Sequence, residues 1–156
     1  MAVTTGQQAP DFELYSSDKQ VVKLSEQKDH NVLLLFFPLA FTSVCTAELC
    51  AVRDNLSWYN NANAKVFGIS VDALQSLARF KEDQQLNFTL LSDFNKETSA
   101  AYGSLYEKFG YNMKGVSKRS AFIIDKEGIV RYAEVLENAG ELPDFKKIQE
   151  VLSSLQ

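Results

Sequence analysis

The chain of 156 residues is poor in cysteine, histidine and proline, with 2, 1 and 3 copies respectively. Two cysteines cannot build the disulfide framework that stabilises small secreted proteins, so we expect a reducing compartment, the cytoplasm. Two cysteines and the distant His30 also cannot supply the four ligands of a closed zinc site. We therefore expect neither a metal nor another cofactor.

Long apolar runs and an excess of positive charge are missing as well. The longest apolar run, residues 32–41, is interrupted by Pro38 and is too short to cross a bilayer. Residues 1–10 lack the basic and then apolar pattern of a secretory signal. The net charge is −4, whereas nonspecific nucleic-acid binding needs a basic face. We therefore expect no membrane and no nucleic-acid partner.

The sequence does contain a regular alternation of short apolar strands and amphipathic helices. No repeat or linker divides it, so we predict a single domain spanning residues 1–156. Its first eight residues are predicted to form a loose arm. The alternation favours one mixed α/β sheet with helices on both faces, beginning with an N-terminal β-hairpin. The predicted strands are residues 12–14, 21–24, 32–37, 65–71, 89–91, 120–125 and 129–135, and the predicted helices are 43–60, 73–85, 98–102 and one starting near Pro143. The first helix is predicted from an apolar stripe of Val44, Ala47, Ala51, Leu56 and Tyr59.

Reactive chemistry is indicated where the third strand ends. Pro38 stops the strand, and a short turn leads to a helix that contains Cys45 and that Thr42 or Ser43 would cap. A cysteine there lies among unpaired backbone N–H groups at the positive end of the helix dipole, which favours the thiolate. Because the thiolate is the nucleophilic form, the sequence predicts that Cys45 carries the chemistry.

The spacing Pro38-x-x-x-Thr42-x-x-Cys45 resembles the active-site motif of the peroxiredoxins, thiol peroxidases on a thioredoxin-like fold. Four further segments resemble the family in the same order: residues 9–14 (APDFEL), 67–72 (FGISVD), 91–93 (LSD) and 119–125 (RSAFIID). The resemblance implies an α/β thioredoxin-like fold with a central mixed sheet flanked by helices. It also implies a thiol-dependent peroxidase that reduces hydrogen peroxide and organic hydroperoxides.

The resemblance further assigns roles to individual residues. Attack on the peroxide would leave Cys45 as a sulfenic acid, with Pro38 shielding the thiolate from water. The Thr42 hydroxyl, the Cys45 backbone N–H and Arg119 would stabilise charge on the peroxide oxygens, since a guanidinium presents a fork of donors and stays charged. Glu48 lies on the same helical face as Cys45, where its charge would oppose the thiolate. We hypothesise that Glu48 pairs with Arg119 and orients it.

Regeneration of Cys45 leaves two alternatives open. Residues 37–42 resemble the AhpE-type branch of the family, whereas Cys45-x-x-x-x-Cys50 resembles the bacterioferritin-comigratory (PrxQ) branch. Residues five apart on a helix have Cα atoms roughly 8–9 Å apart, and a disulfide needs less than about 7 Å. A Cys45–Cys50 disulfide therefore requires the helix to unwind. Otherwise Cys50 is a bystander and an external thiol reduces a one-cysteine enzyme.

Either alternative implies a thioredoxin- or glutaredoxin-like reductant, and the sequence allows a monomer or a homodimer with Phe41, Phe80 or Tyr102 in its interface. A thiol–disulfide oxidoreductase is disfavoured, since such proteins generally carry Cys-x-x-Cys and Ala47-Glu48 occupies that region. A redox sensor or scaffold that relays oxidation to a partner is a further hypothesis, because fold alone does not fix function.

Overall fold

The computed structural model describes residues 3–155 and is built around one seven-stranded sheet. Its strands are β1 (Glu13–Ser16), β2 (Val21–Lys23), β3 (Asn31–Phe36), β4 (Ala64–Ser70), β5 (Thr89–Ser92), β6 (Arg119–Ile124) and β7 (Val130–Leu136). They are ordered β2-β1-β5-β4-β3-β6-β7. β3, β4 and β5 are parallel, and the remaining pairs are antiparallel. The predicted mixed sheet and both predicted hairpins are present.

Five α-helices within the described residues flank this sheet: α1 (Ser43–Asp54), α2 (Leu56–Asn61), α3 (Leu74–Gln84), α4 (Glu97–Ala101) and α5 (Phe145–Ser154). Every residue of β3 is buried, because successive side chains point to opposite faces and both faces are covered. Leu33 and Leu35 pack in one core with residues of α1, α2, α3 and α5. Leu34 packs in a second core with Phe12 and Tyr102. None of the helices within residues 3–155 is long and apolar enough to span a bilayer.

The expected loose arm is wrong for residues 3–8. Val3 is buried, and the backbone of this segment bonds to the turn and start of β7 through Gly6 N to Val130 O (2.8 Å) and Val130 N to Gln7 O (2.9 Å). The polar composition hid this pairing, since backbone hydrogen bonds need no particular side chain. The first two residues of the predicted arm lie outside the described part of the chain.

The helix predicted over residues 43–60 is two helices. Asn55 separates α1 from α2 with φ −117° and ψ 16°, and its side-chain amide donates to Ala51 O at 2.9 Å. The buried face of α1 also differs from the apolar stripe that the sequence indicated, which included Ala47 and Ala51. The face that packs inward consists of Cys45, Glu48, Leu49 and Val52. A buried carboxyl in that face is the reason the stripe was misplaced.

Two of the three aromatic residues considered for a dimer interface belong to the core. Phe80 and Tyr102 are fully buried. Phe41 is 54% exposed and packs edge-on against Phe80, with ring centroids 5.2 Å apart. Of this set, Phe41 alone presents a substantial surface to solvent.

Candidate active site

The sheet topology brings Cys45 and Arg119 to the same end of the sheet. β3 and β6 are antiparallel neighbours, with Phe36 at the end of β3 opposite Ser120 at the start of β6. The loop that follows β3 leads into α1, which carries Cys45, while Arg119 is the first residue of β6. Two residues 74 positions apart in sequence therefore meet at one end of the sheet.

Cys45 lies in the first turn of α1 with its side chain fully buried. Its Sγ accepts a hydrogen bond from Arg119 Nη2 at 3.3 Å. The sulfur is thus next to a fixed positive charge and close to the N-terminal end of the helix. Both features stabilise an anion on sulfur.

Arg119 is 2% exposed and distributes its donors over three acceptors. Nη1 donates to Glu48 Oε1 at 2.6 Å, Nη2 donates to Cys45 Sγ, and Nε and Nη2 donate to Ala139 O at 3.1 and 2.9 Å. The expected contact between Glu48 and Arg119 is therefore present. Ala139 could not be predicted from the sequence, because a backbone carbonyl acceptor in a loop has no side-chain signature.

The Glu48 carboxyl has an unusual electrostatic environment. Burial raises its pKa from 4.5 to about 7, although the charge of Arg119 and its hydrogen bond act in the opposite direction. Glu134 raises this pKa further. For Arg119, burial acts to lower the pKa, but Glu48 and Cys45 outweigh it and raise the pKa overall. The guanidinium therefore stays charged in its buried position.

Thr42 differs in two respects from the expectation. Its carbonyl accepts the first helical bond from Thr46 N at 2.9 Å, but neither Thr42 nor Ser43 caps α1 through its side chain. Instead, Thr42 Oγ1 donates to Leu39 O at 2.8 Å. The hydroxyl proton is thus directed away from the helix, and the lone pairs of Oγ1 remain as acceptors. Pro38 is buried in the same loop, shortly after β3 ends at Phe36.

Asp72 supports this loop and was not recognised from the sequence. Its Oδ2 accepts from Ala40 N at 2.8 Å and from Ser70 Oγ at 2.6 Å, and its carbonyl accepts from Ser92 Oγ at 2.6 Å. The ends of β4 and β5 are thereby bonded to the turn that leads to Thr42. The matching segment FGISVD was a signal for Asp72, but it did not reveal which group Asp72 contacts.

Cys50 is not brought to Cys45. Both are free thiols on the continuous helix α1, and the half-buried Cys50 donates from Sγ to Gln84 Oε1 at 3.6 Å. Helical geometry keeps their Cα atoms roughly 8–9 Å apart. Within residues 3–155, no three His, Cys, Asp or Glu side chains are grouped to hold a metal ion.

A known protein family matches most of this chain. Residues 5–133 match the AhpC/TSA family, which is more than half of the chain. The chain belongs to this family, the peroxiredoxins. Peroxiredoxins are thiol-dependent peroxidases, so the enzyme class expected from the sequence is confirmed.

Curated relatives support the same assignment over nearly the whole length. The chain is 35% identical over 156 residues to alkyl hydroperoxide reductase E of Mycobacterium tuberculosis, covering 98% of both proteins. It is 37% identical over 132 residues to the putative peroxiredoxin bcp of Coxiella burnetii, covering 83% of this chain and 87% of that protein. The relatives thus include both branches whose motifs the sequence resembles.

Solved peroxiredoxin structures confirm the thioredoxin-like fold. The crystal structure of peroxidoxin BcpB from Mycobacterium tuberculosis matches with a TM-score of 0.85 and 28% identity, covering 97% of each chain. A peroxiredoxin-like protein from Aquifex aeolicus matches with a TM-score of 0.90 and 25% identity, covering 100% of this chain and 90% of that one. The peroxiredoxin sheet and its flanking helices are therefore shared over the whole described chain.

Proposed function

We propose that Cys45 is the residue that this peroxiredoxin oxidises in each turnover. The Cys45 thiolate attacks one peroxide oxygen, the O–O bond breaks, and water or an alcohol leaves while Cys45 becomes a sulfenic acid. The observation that carries this proposal is the 3.3 Å hydrogen bond from the buried Arg119 to Cys45 Sγ. It pairs the nucleophile with a cation that cannot be neutralised.

The neighbouring groups provide the remaining contacts to peroxide. Arg119 and the Cys45 backbone N–H stabilise the negative charge that develops on the peroxide oxygens. Thr42 Oγ1, whose proton is directed to Leu39 O, accepts the hydrogen of the peroxide. Pro38 shields the thiolate from water, and Glu48 orients the guanidinium through the 2.6 Å contact. Hydrogen peroxide and organic hydroperoxides both fit this set of contacts, because it recognises only the O–O group.

Cys50 is proposed to resolve the sulfenic acid by forming an intramolecular disulfide. Its attack on Cys45 releases water, and it requires α1 to unwind because the two thiols lie on one helix. A thioredoxin- or glutaredoxin-like dithiol then reduces the disulfide. This cycle suits the reducing cytoplasm.

We further propose that one domain of residues 1–156 carries the activity, as a monomer or as a homodimer. Light scattering of the reduced protein distinguishes these two states.

The test is an intact mass after one equivalent of hydrogen peroxide is added to the reduced protein without reductant. Loss of two hydrogens is the expected result and means a Cys45–Cys50 disulfide. Gain of one or two oxygens would instead mean a one-cysteine peroxidase with Cys50 as a bystander. An unchanged mass over minutes would contradict the role of Cys45.

Turnover separates the peroxidase from a redox sensor or scaffold. A peroxidase consumes peroxide continuously when a thioredoxin- or glutaredoxin-like reductant is supplied. Slow turnover with every such reductant, together with stable capture of a partner protein by Cys45, would favour the sensor.

A further inference from the structure

Two acidic groups share one guanidinium in the buried site. Cys45 and Glu48 are 0% exposed and Arg119 is 2% exposed, and both acids accept hydrogen bonds from Arg119. One positive charge can balance one negative charge. A thiolate and a carboxylate together would leave an uncompensated negative charge away from water, which is strongly unfavourable.

The second carboxyl oxygen of Glu48 also indicates that the reduced site holds one negative charge and not two. Oε1 bonds to Arg119, whereas Oε2 is buried and has no hydrogen-bond partner among the described residues. An unpartnered oxygen costs less on a neutral carboxyl than on a carboxylate, because desolvation penalises the charged form most. Because Oε1 accepts from Arg119, Oε2 is the oxygen that is free to take up a proton.

Of the other titratable groups around Glu48, Glu134 favours the neutral carboxyl and Arg119 favours the carboxylate. From β7, the Glu134 carboxylate adds negative charge, and its Oε1 is held by Tyr132 OH and by the backbone N–H of Asp144, each at 3.0 Å. From α1, Cys45 shares the guanidinium with Glu48, and from β6 Arg119 itself acts against protonation of Glu48. Burial, the largest effect, together with Glu134 outweighs Arg119 and leaves the pKa of Glu48 at about 7, within reach of a proton exchange at neutral pH.

We propose that Cys45 and Glu48 share one proton through the reaction cycle. When the thiolate forms, the thiol proton moves to Glu48 Oε2 and the site keeps one negative charge. When the thiolate attacks peroxide, an S–O bond forms and the O–O bond breaks. The leaving hydroxide or alkoxide takes the proton from Glu48 Oε2 and departs as water or an alcohol. The Cys45 sulfenic acid is neutral, and the negative charge returns to Glu48 opposite Arg119.

This inference rests on the proposed oxidation of Cys45 and is tested by infrared difference spectroscopy at neutral pH. The Cys50→Ser variant is used because it stops at the sulfenic acid with α1 folded. Peroxide is expected to remove the carbonyl-stretch band of a protonated carboxylic acid and to create carboxylate bands. When Glu48→Gln is added, no protonated-carboxyl band is expected before or after peroxide. When Cys45→Ser is added, peroxide is expected to produce no change in the carboxyl bands.

Proton uptake from a weakly buffered solution gives a second readout. Wild-type oxidation is expected to take up little proton, since Glu48 supplies it internally. Glu48→Gln is expected to take up one proton from solution for each Cys45 oxidised. Cys45 oxidised by mass with no change in the carboxyl band, or with equal proton uptake in both proteins, would overturn proton sharing. Failure of Cys45 to oxidise at all would instead overturn the proposed function.

Discussion

Arg119 shows at the scale of one residue why a guanidinium is needed. Its fork contacts Cys45, Glu48 and Ala139 at once, and a single ammonium cannot reach three acceptors in these directions. We expect Arg119→Lys to lower the second-order rate constant for hydrogen peroxide about 100-fold or more, as loss of a fixed donor does elsewhere. Stopped-flow peroxide consumption measures this. Arg79→Lys, at an exposed position, is the control, and a rate for Arg119→Lys within twofold of wild type would contradict the role.

Thr42 allows a test with two matched substitutions. Thr42→Ser keeps a hydroxyl that can donate to Leu39 O and accept from peroxide, whereas Thr42→Val has the same shape without it. We expect the valine variant to lose about 100-fold in peroxide rate and the serine variant to stay within a few-fold of wild type. Equal rates in the two variants would show that the hydroxyl does not contact peroxide.

A residue of the site could be predicted from the sequence only where its contact depends on the identity of its side chain. The motif spacing was sufficient to select Cys45 and Thr42 as candidates. The family pattern added Arg119, which no local signal links to Cys45. The carbonyl of Ala139 left no trace in the sequence, because any residue supplies the same acceptor.

At the scale of elements, α1 must change its structure if Cys50 resolves Cys45. We expect amide hydrogen exchange in α1 to accelerate when wild-type protein is oxidised to the disulfide, because helical bonds between the two cysteines break. Mass spectrometry of α1 peptides measures the exchange. The Cys50→Ser variant, oxidised in parallel, is expected to keep the slow exchange of the reduced protein. Unchanged exchange in a disulfide-bonded wild-type protein would contradict the unwinding.

The elements themselves were largely predictable, and the errors have identifiable causes. β3 could be recognised by its continuous apolar run, which is typical of a strand buried on both faces. The buried face of α1 was misplaced because Glu48 is compensated by an arginine from another strand. The break at Asn55 depends on a local backbone conformation that hydrophobic periodicity does not encode.

For the whole molecule, Glu48 couples stability to pH. Its pKa is raised from 4.5 to about 7 in the folded protein, so the folded state binds more protons between these values. The stabilising contribution is therefore fully present below 4.5 and is lost as pH rises through about 7. We expect the free energy of unfolding of wild type, relative to Glu48→Gln, to fall by up to about 3 kcal/mol over this range.

Urea denaturation of both proteins at a series of pH values measures this difference. Comparing the two proteins removes contributions from titrating groups that are not coupled to Glu48, and repeating the comparison with Cys45→Ser in both proteins removes the contribution of Cys45. A difference that stays constant with pH, or that grows as pH rises, would contradict a raised pKa for Glu48.

The arrangement of the whole molecule was predictable mainly through the family resemblance. Strand and helix alternation indicated a mixed α/β sheet, but it could not fix the order that places β6 beside β3. The pairing of β6 with β3 decides whether Arg119 reaches Cys45, which lies 74 positions away in the sequence. Long-range pairing depends on the packing of the complete chain, which no local pattern records.

The most direct test of the central claim is a titration of reduced protein with hydrogen peroxide, in which consumption per chain is compared for three proteins. We predict that wild type and Cys50→Ser each rapidly consume one equivalent and that Cys45→Ser consumes none. This result would establish Cys45 as the residue that reacts with peroxide. Rapid consumption by Cys45→Ser would contradict the account and move the chemistry elsewhere in the chain.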